Sequence, residues 1–327
     1  MRRVVFDGFG EPASVLRVED CAEPVPGPGE VVVAMTLRPI NPADLLTVRG
    51  RYGTRPKLPA VPGYEGVGRV VARGPDVETP AIGERVVPLG SNGTWQELCV
   101  ARASAVLALP DAVPDESAAQ FVVNPLTALA MVGEVLATER GDWLLQTAAG
   151  STLGRIVLQL ARADGFRTIN LVRRPAQVAE LEALGGDIVA VADDPALASR
   201  IAEATGGTGV ARGIEAVGGA TGAAALGLLA PGGTLLSYGL LSGAPIPVDP
   251  GLLVFRGLRL EGFWLTRWMR AAGPERRAAL IGRLVELMGR GLVVPPVAEI
   301  FPLAEIGRAV VAAEREGRAG KVLLATR

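Results

Sequence analysis

The chain has 327 residues, 49% of them hydrophobic, with 33 basic against 34 acidic side chains and a net charge of −1. That length exceeds one compact core and predicts two domains, and the balanced charge argues against a nucleic-acid or anionic-membrane surface. Cys21 and Cys99 are the only cysteines and histidine is absent, which excludes a disulfide framework and a four-cysteine zinc lobe. The start, Met1-Arg2-Arg3-Val4-Val5-Phe6-Asp7-Gly8, lacks the apolar run of a signal peptide. No later segment supplies the roughly 18 apolar residues of a membrane span, so a cytoplasmic protein without a membrane partner is expected. Some side chains are rare: lysine only at 57 and 321, tyrosine only at 52, 64 and 238, asparagine only at 41, 92, 124 and 170.

Residues 1–115 read as short β segments, such as Val31 to Leu37, Val67 to Ala72 and Arg85 to Pro88. Pro-Gly-Pro-Gly at 26–29 and a Pro-rich loop at 54–63 separate them, which predicts a small barrel-like domain. Asp115-Glu116-Ser117 opens a helical stretch from Ala118 to Ala137, interrupted by Asn124-Pro125. From 142 strands and helices alternate. Strands are expected at Trp143 to Ala148, Thr168 to Val172, Asp187 to Val191, Val210 to Val217, Thr234 to Tyr238 and Leu258 to Phe263. Helices are expected at Leu153 to Ala163, Ala176 to Leu184, Ala196 to Ala204 and 220–229. This rhythm predicts an α/β chain with a doubly wound parallel sheet over 116–265. A helix at 274–290 and a strand from Lys321 to Leu324 follow, so 266–327 is expected to rejoin the first domain.

The first βα turn is Ala148-Ala149-Gly150-Ser151-Thr152-Leu153-Gly154. Small residues there let backbone N–H groups approach a pyrophosphate at a helix N-terminus, where the dipole favours anions. Gly150, Ser151, Thr152 and Leu153 are therefore candidate cofactor contacts. About 20 residues on, the second strand ends in Arg173-Arg174 where an NAD site carries an acid. A carboxylate would repel a 2′-phosphate and a guanidinium can pair with it, so Arg173 and Arg174 favour NADPH.

Pro62-Gly63-Tyr64-Glu65-Gly66 resembles the Gly-His-Glu signature of zinc alcohol dehydrogenases, with Tyr64 replacing a zinc-ligating histidine. Over nearly its whole length the chain resembles the medium-chain dehydrogenase/reductases, a β-rich GroES-like catalytic domain joined to a Rossmann domain. More narrowly it is similar to the zinc-independent trans-2-enoyl thioester reductases, the mitochondrial enoyl-CoA/ACP reductase family. Asn41-Pro42-Ala43-Asp44, Val123-Asn124-Pro125-Leu126-Thr127-Ala128, Gln146-Thr147-Ala148-Ala149 and Thr168-Ile169-Asn170-Leu171-Val172-Arg173 carry the resemblance. The Asn-Pro-x-Asp element and the glycine turn are shared with quinone reductases. Gly50-Arg51-Tyr52-Gly53 and Gly262-Phe263-Trp264-Leu265 are more specific to enoyl reductases.

The resemblance implies a catalytic Tyr52. Hydride addition to the β-carbon of an enoyl thioester leaves charge on the thioester oxygen, and a phenol protonated at neutral pH can donate to it. It also implies cofactor contacts at Asn124, at Tyr238-Gly239-Leu240-Leu241, at Phe263-Trp264-Leu265 and at Lys321. Relatives pair the edge strand of the Rossmann sheet into a homodimer, and the strand from Leu258 to Phe263 occupies that place here. Two departures stand out: Thr152 replaces a glycine of the family's phosphate turn, and Arg173-Arg174-Pro175 replaces Arg-Asp-Arg. The expected activity is NADPH-dependent reduction of enoyl-CoA or enoyl-ACP without zinc. The alternatives are an NADPH:quinone oxidoreductase and a non-enzymatic NADPH-binding protein.

Overall fold

The structure is a computed structural model and describes residues 1–90 and 92–326. The fold is α/β, with two compact units, Met1–Asn124 with Val285–Arg327, and Pro125–Leu284. These divisions fall at 124/125 and 284/285, both later in the chain than the 115/116 and 265/266 expected from sequence.

The first unit opens with β1 (Arg2–Val5), a short helix α1 (Pro12–Val15) and β2 (Arg17–Asp20), which pairs antiparallel with β1. Next comes the long strand β3 (Glu30–Pro39). Its consecutive Val31, Val32 and Val33 are buried, so both faces are covered, and their β-branched side chains suit an extended backbone. Helix α2 (Pro42–Val48) follows, with Pro42 in its first turn and the Asp44 carboxylate accepting from the Asn41 N–H at 2.7 Å. Strands β4 (Val67–Arg73), β5 (Arg85–Pro88), β6 (Leu98–Arg102) and β7 (Val106–Ala108) complete the amino-terminal part.

The helical stretch expected at 118–137, with an interruption at Asn124-Pro125, breaks at 120–122 instead. Helix α3 (Asp115–Ala119) ends before Gln120, α4 (Val123–Leu129) begins again, and a π-helical turn covers Ala130–Val135. Proline lacks an N–H and clashes with the preceding turn, so Pro125 fits only near the start of a new helix, which is where α4 places it.

The second unit alternates β8 (Trp143–Gln146), α5 (Thr152–Asp164), β9 (Arg167–Val172), α6 (Gln177–Ala183), β10 (Ile188–Val191), α7 (Leu197–Ala204) and β11 (Val210–Glu215). It continues with α8 (Gly219–Gly227), β12 (Leu229–Ser237), α9 (Pro250–Arg256), β13 (Arg259–Gly262), α10 (Leu265–Ala271) and α11 (Pro274–Gly289). The strands form one sheet in the order β10-β9-β8-β11-β12-β13, every pair parallel. The order reverses between β8 and β11, the switch point at which doubly wound sheets open a crevice.

Alternate residues of each strand feed opposite faces. Ile169, Leu171, Ile188 and Ala190 pack with Ile201 of α7 and Leu226 of α8, whereas Val172 and Val189 pack with Leu158 of α5 and Leu181 of α6. The sheet is thus covered on both sides, as parallel sheets require.

The chain then returns to the first unit with β14 (Val297–Pro302), α12 (Ile306–Glu314) and β15 (Lys321–Ala325). The sheet there runs β14-β15-β3-β4-β5-β7, with β6 also paired to β3. Phe6, Trp95, Ile306, Val310 and Val322 lie in its core. Among the described residues no helix is long and apolar enough to cross a membrane.

Candidate functional site

In the second unit the candidate residues gather at the carboxyl ends of the parallel strands. After β8 the chain turns through Ala148, which takes the left-handed conformation at φ 49°, and enters α5 at Ser151. Ser151 Oγ accepts the Gly154 N–H at 3.1 Å and caps the helix. A Cβ on Gly154 would lie 2.4 Å from the Ala149 carbonyl oxygen, so only glycine lets α5 approach the turn this closely. The first-turn N–H groups of a helix have no helical acceptor and carry the positive end of its dipole. The Gly150 carbonyl is held back by Arg155 Nε at 3.2 Å, and Arg155 Nη2 reaches Glu180 of α6 at 2.6 Å.

Arg173 is exposed and Arg174 half-buried just after β9, with no acid beside them in the chain. At the end of β11, the Glu215 carboxylate accepts from the Val217 N–H and, at 2.7 Å, from the Gly218 N–H, curling 215–218 into a tight loop. That loop receives the next segment: Tyr238 N–H donates to the Glu215 carbonyl at 2.8 Å and Leu241 N–H to the Ala216 carbonyl at 3.0 Å. The segment Tyr238–Leu241 is therefore fixed by backbone bonds, and Leu240 and Leu241 present exposed side chains. The Tyr238 hydroxyl is buried without a hydrogen-bond partner among the described residues, and burial, reinforced by the charge of Glu215, raises its pKa. Phe263 is buried beyond β13, its N–H bonded to the Ser237 carbonyl, while Trp264 and Leu265 are half-buried at the start of α10.

In the first unit a different kind of site forms, built from side chains. Glu65 is 1% exposed. Its Oε1 accepts from Asn41 Nδ2 at 2.7 Å, and its Oε2 accepts from the N–H groups of Val122 and Val123 at 2.7 and 2.8 Å. Asn41 Oδ1 in turn accepts from Asn124 Nδ2 at 2.9 Å. Lys321, buried at the start of β15, is coupled by charge to Glu65 and Asp44. Burial pushes the Asp44 carboxyl up to about 8 and the Glu65 carboxyl to about 7, and it brings the Lys321 ammonium down to about 8. The N–H groups on Glu65 and the Lys321 charge pull the other way, toward an ionised carboxylate.

Two of the three tyrosines stand beside this network, their rings 5.5 Å apart and tilted by 46°. The Thr47 hydroxyl donates to the Ala43 carbonyl at 2.9 Å and has only one proton, so the Tyr64 hydroxyl at 2.6 Å must be the donor to Thr47. Burial pushes the Tyr64 phenol up to about 12, and its proton is committed to a structural bond. Tyr52 is half-buried, as Tyr64 is, in the turn after α2, between the exposed Arg51 and Gly53. Among the described residues no three His, Cys, Asp or Glu side chains cluster to hold a metal.

Residues 27–111 match the alcohol dehydrogenase GroES-like domain, and residues 152–281 match the zinc-binding dehydrogenase family. The chain is 33% identical over 328 residues to the mitochondrial enoyl-[acyl-carrier-protein] reductase of Rattus norvegicus, covering 95% of this chain and 85% of that protein. The chain belongs to the medium-chain dehydrogenase/reductase family. Among solved structures, one from Bacillus thuringiensis, provisionally named an NADPH:quinone reductase, is 35% identical with a TM-score of 0.91, covering 100% of this chain and 99% of that one. The structure of Etr1p in complex with NADP and crotonyl-CoA is 25% identical with a TM-score of 0.89, covering 99% of each chain.

For this medium-chain dehydrogenase/reductase, the structure brings Gly150, Ser151, Thr152, Leu153, Tyr238, Gly239 and Phe263 to one edge of the parallel sheet. It brings Asn124, Lys321 and Tyr52 to the Glu65 network. Sequence reasoning placed no functional role on Arg155, Glu65, Asp44 or Glu215. A signal existed for Glu65 and Glu215, since each is a lone acid in a run of small or apolar residues, a costly position unless the carboxylate is paired. Arg155 carried no such signal, because arginine is common throughout the chain.

Proposed function

We propose that the protein is an NADPH-dependent, zinc-independent reductase of trans-2-enoyl thioesters, enoyl-CoA or enoyl-ACP. The observation that carries this reading is the pair of tyrosines where zinc relatives place metal chemistry: Tyr64 is locked to Thr47 and Tyr52 stands beside it in a turn whose neighbours Arg51 and Gly53 are exposed. The resemblance to a named enoyl-ACP reductase along 95% of the chain supports it.

The residues present fit a dinucleotide phosphate. The small-residue turn before α5 brings the backbone close to the helix N-terminus, where the dipole favours an anion, and the amide of Gln177 lies against Gly150, 2.2 Å from where a Cβ would stand. The Tyr238 hydroxyl is a buried polar atom with no hydrogen-bond partner among the described residues. Arg173 and Arg174 supply cations for a 2′-phosphate, which favours NADPH over NADH. Bound NADPH would supply the hydride. Asn124 and Lys321 would contact the cofactor on the nicotinamide side, and Tyr238–Leu241 with Phe263–Leu265 would line its pocket.

Tyr52 serves as the donor to the thioester oxygen. As charge develops there, the phenol O–H stabilises the enolate, and the α-carbon is protonated afterwards. β13, at the open edge of the sheet, would pair with the same strand of a second copy to form a homodimer.

The second reading, an NADPH:quinone oxidoreductase, is favoured by the name of the Bacillus thuringiensis structure. NADPH oxidation driven by crotonyl-CoA separates the two. The expected result is turnover with crotonyl-CoA that Tyr52→Phe lowers by at least about tenfold at nearly unchanged NADPH affinity. Turnover of a quinone but not of crotonyl-CoA would overturn the first reading, and an unaffected Tyr52→Phe rate would remove Tyr52 from the chemistry. Tight NADPH binding with turnover of neither would favour a binding protein.

A further inference from the structure

Between Asp44 and Glu65 the chain has no acidic residue but four cations, Arg49, Arg51, Arg55 and Lys57. Asp44 and Glu65 are themselves buried, so neither neutralises the surface there. This stretch is the turn that carries Tyr52, and it is pinned at both ends within the first unit. Arg51 N–H donates to the Leu46 carbonyl at 2.8 Å, and Phe6 and Ala60 donate to each other's carbonyls at 3.0 and 3.1 Å. Arg49 is spent on Glu11 at 2.7 Å and Glu314 at 2.9 Å. The other three cations are exposed. Among the described residues Arg51 and Lys57 have no carboxylate within ion-pair distance; Glu11 feels the charge of Arg51 but is bonded to Arg49.

Arg55 is held in place. Its Nε donates to the Gly50 carbonyl at 2.9 Å, and its guanidinium lies 5.6 Å from the centre of the Phe9 ring. Phe9 in turn packs beside the buried Phe6, and it lies so close to Gly50 that a Cβ there would stand 2.9 Å from the ring. With Nε engaged, the two terminal nitrogens of Arg55 have no hydrogen-bond partner among the described residues. They form the end-on pair with which a guanidinium grips two phosphate oxygens. A side chain fixed in advance loses less freedom when it binds.

We propose that this turn binds the phosphates of the coenzyme A form of the substrate, with Arg55 as the oriented contact and Arg51 and Lys57 as flanking charges. This rests on the reading that the protein reduces enoyl thioesters, and it names the carrier the turn fits. Three exposed cations at 51, 55 and 57 suit a small ligand that concentrates three phosphate groups. An acyl carrier protein brings one phosphodiester on a broad acidic face, which would meet Glu11 and Glu314 beside the turn. Lys57 lies within about 18 Å of extended chain from Tyr52, so a pantetheine arm can join the charges to the phenol.

The test compares reduction of crotonyl-CoA with that of crotonyl-pantetheine, which lacks the phosphates. Wild-type protein is expected to favour crotonyl-CoA in kcat/KM by at least about tenfold, less so as salt rises. The double variant Arg55→Gln/Lys57→Gln is expected to raise KM for crotonyl-CoA about tenfold, with kcat, crotonyl-pantetheine kcat/KM and NADPH affinity each within about twofold. Arg55→Lys, which keeps the charge without the fork, should recover part of the loss relative to Arg55→Gln.

An unchanged KM for crotonyl-CoA in the folded double variant overturns the proposal. An equal loss on crotonyl-pantetheine also overturns it, because the turn then only holds Tyr52, and a loss of NADPH affinity in its place would assign the cations to the cofactor. Impaired reduction of crotonyl-ACP with crotonyl-CoA untouched overturns the choice of carrier. Wild-type protein that reduces no crotonyl thioester overturns the enoyl reading itself, and the assignment of the turn with it.

Discussion

The turn at Gly150 and the network at Glu65 solve opposite problems. The turn is made of backbone, and what matters there is what is missing: a side chain at Gly154 would take the space that the Ala149 carbonyl occupies. The network is made of side chains, and what matters is what is present, since Asn41, Glu65 and Asn124 satisfy one another out of water. A backbone site withstands many substitutions but not an added methyl group. A buried polar site withstands little, because each loss strands a partner.

Removing the centre of the network should have the largest effect. Glu65→Ala leaves the Asn41 amide and the Val122 and Val123 N–H groups without their acceptor, and should destabilise the protein by roughly 3 kcal/mol in urea denaturation. A loss below about 1 kcal/mol would mean that water replaces the carboxylate freely and the contrast with the turn fails. Adding a methyl group to the turn should come next. Gly154→Ala sets a Cβ 2.4 Å from the Ala149 oxygen, which the backbone must move to relieve, at roughly 2 kcal/mol and with weakened NADPH binding. Unchanged stability and affinity would show that the turn has more slack than its geometry implies.

The smallest effect is one of pH. Burial raises the folded-state pKa of Asp44 to about 8, well above the value of an unfolded aspartate, so the folded protein holds a proton that the unfolded chain releases. Stability from this group is greatest at low pH and is lost as pH rises from about 4 through about 8. Asp44→Asn mimics the protonated acid and cannot titrate, so its melting temperature should fall less than that of the wild type between about pH 5 and about pH 8. Parallel melting curves would show that Asp44 is already ionised in the folded protein.

The two sites also differ in how far they can be read from sequence. The turn is contiguous and lies between elements with strong periodicity: the helix expected at 153–163 is observed at Thr152–Asp164, and the strand expected at 168–172 at Arg167–Val172. The network draws on positions 41, 44, 65, 122–124 and 321, so no local pattern announces it. Asn41, Glu65, Asn124 and Lys321 were legible one by one, as members of motifs or as rare residues, but not as one constellation. The break at 120–122 was half legible: Pro125 marks an interruption, but the two helices around it and the closing π-helical turn depend on packing. Short strands such as β1, β2 and β14 gave no period long enough to register, and they exist because neighbouring strands pair with them.

By itself, then, the sequence determined the alternation of strands and helices, the small-residue turn before α5 and the arginine pair after β9, each a local property of the backbone or of side chains close in the chain. The candidacy of Tyr52 came instead from the resemblance to enoyl reductases. Only the tertiary structure decided that Tyr64 spends its proton on Thr47, that one carboxylate gathers Asn41 and the start of α4, and that Asn124 donates its amide N–H to Asn41. The reason is burial. In water each of those groups could bond to solvent in either sense, but once folding removes the solvent, every donor must meet an acceptor and one arrangement remains.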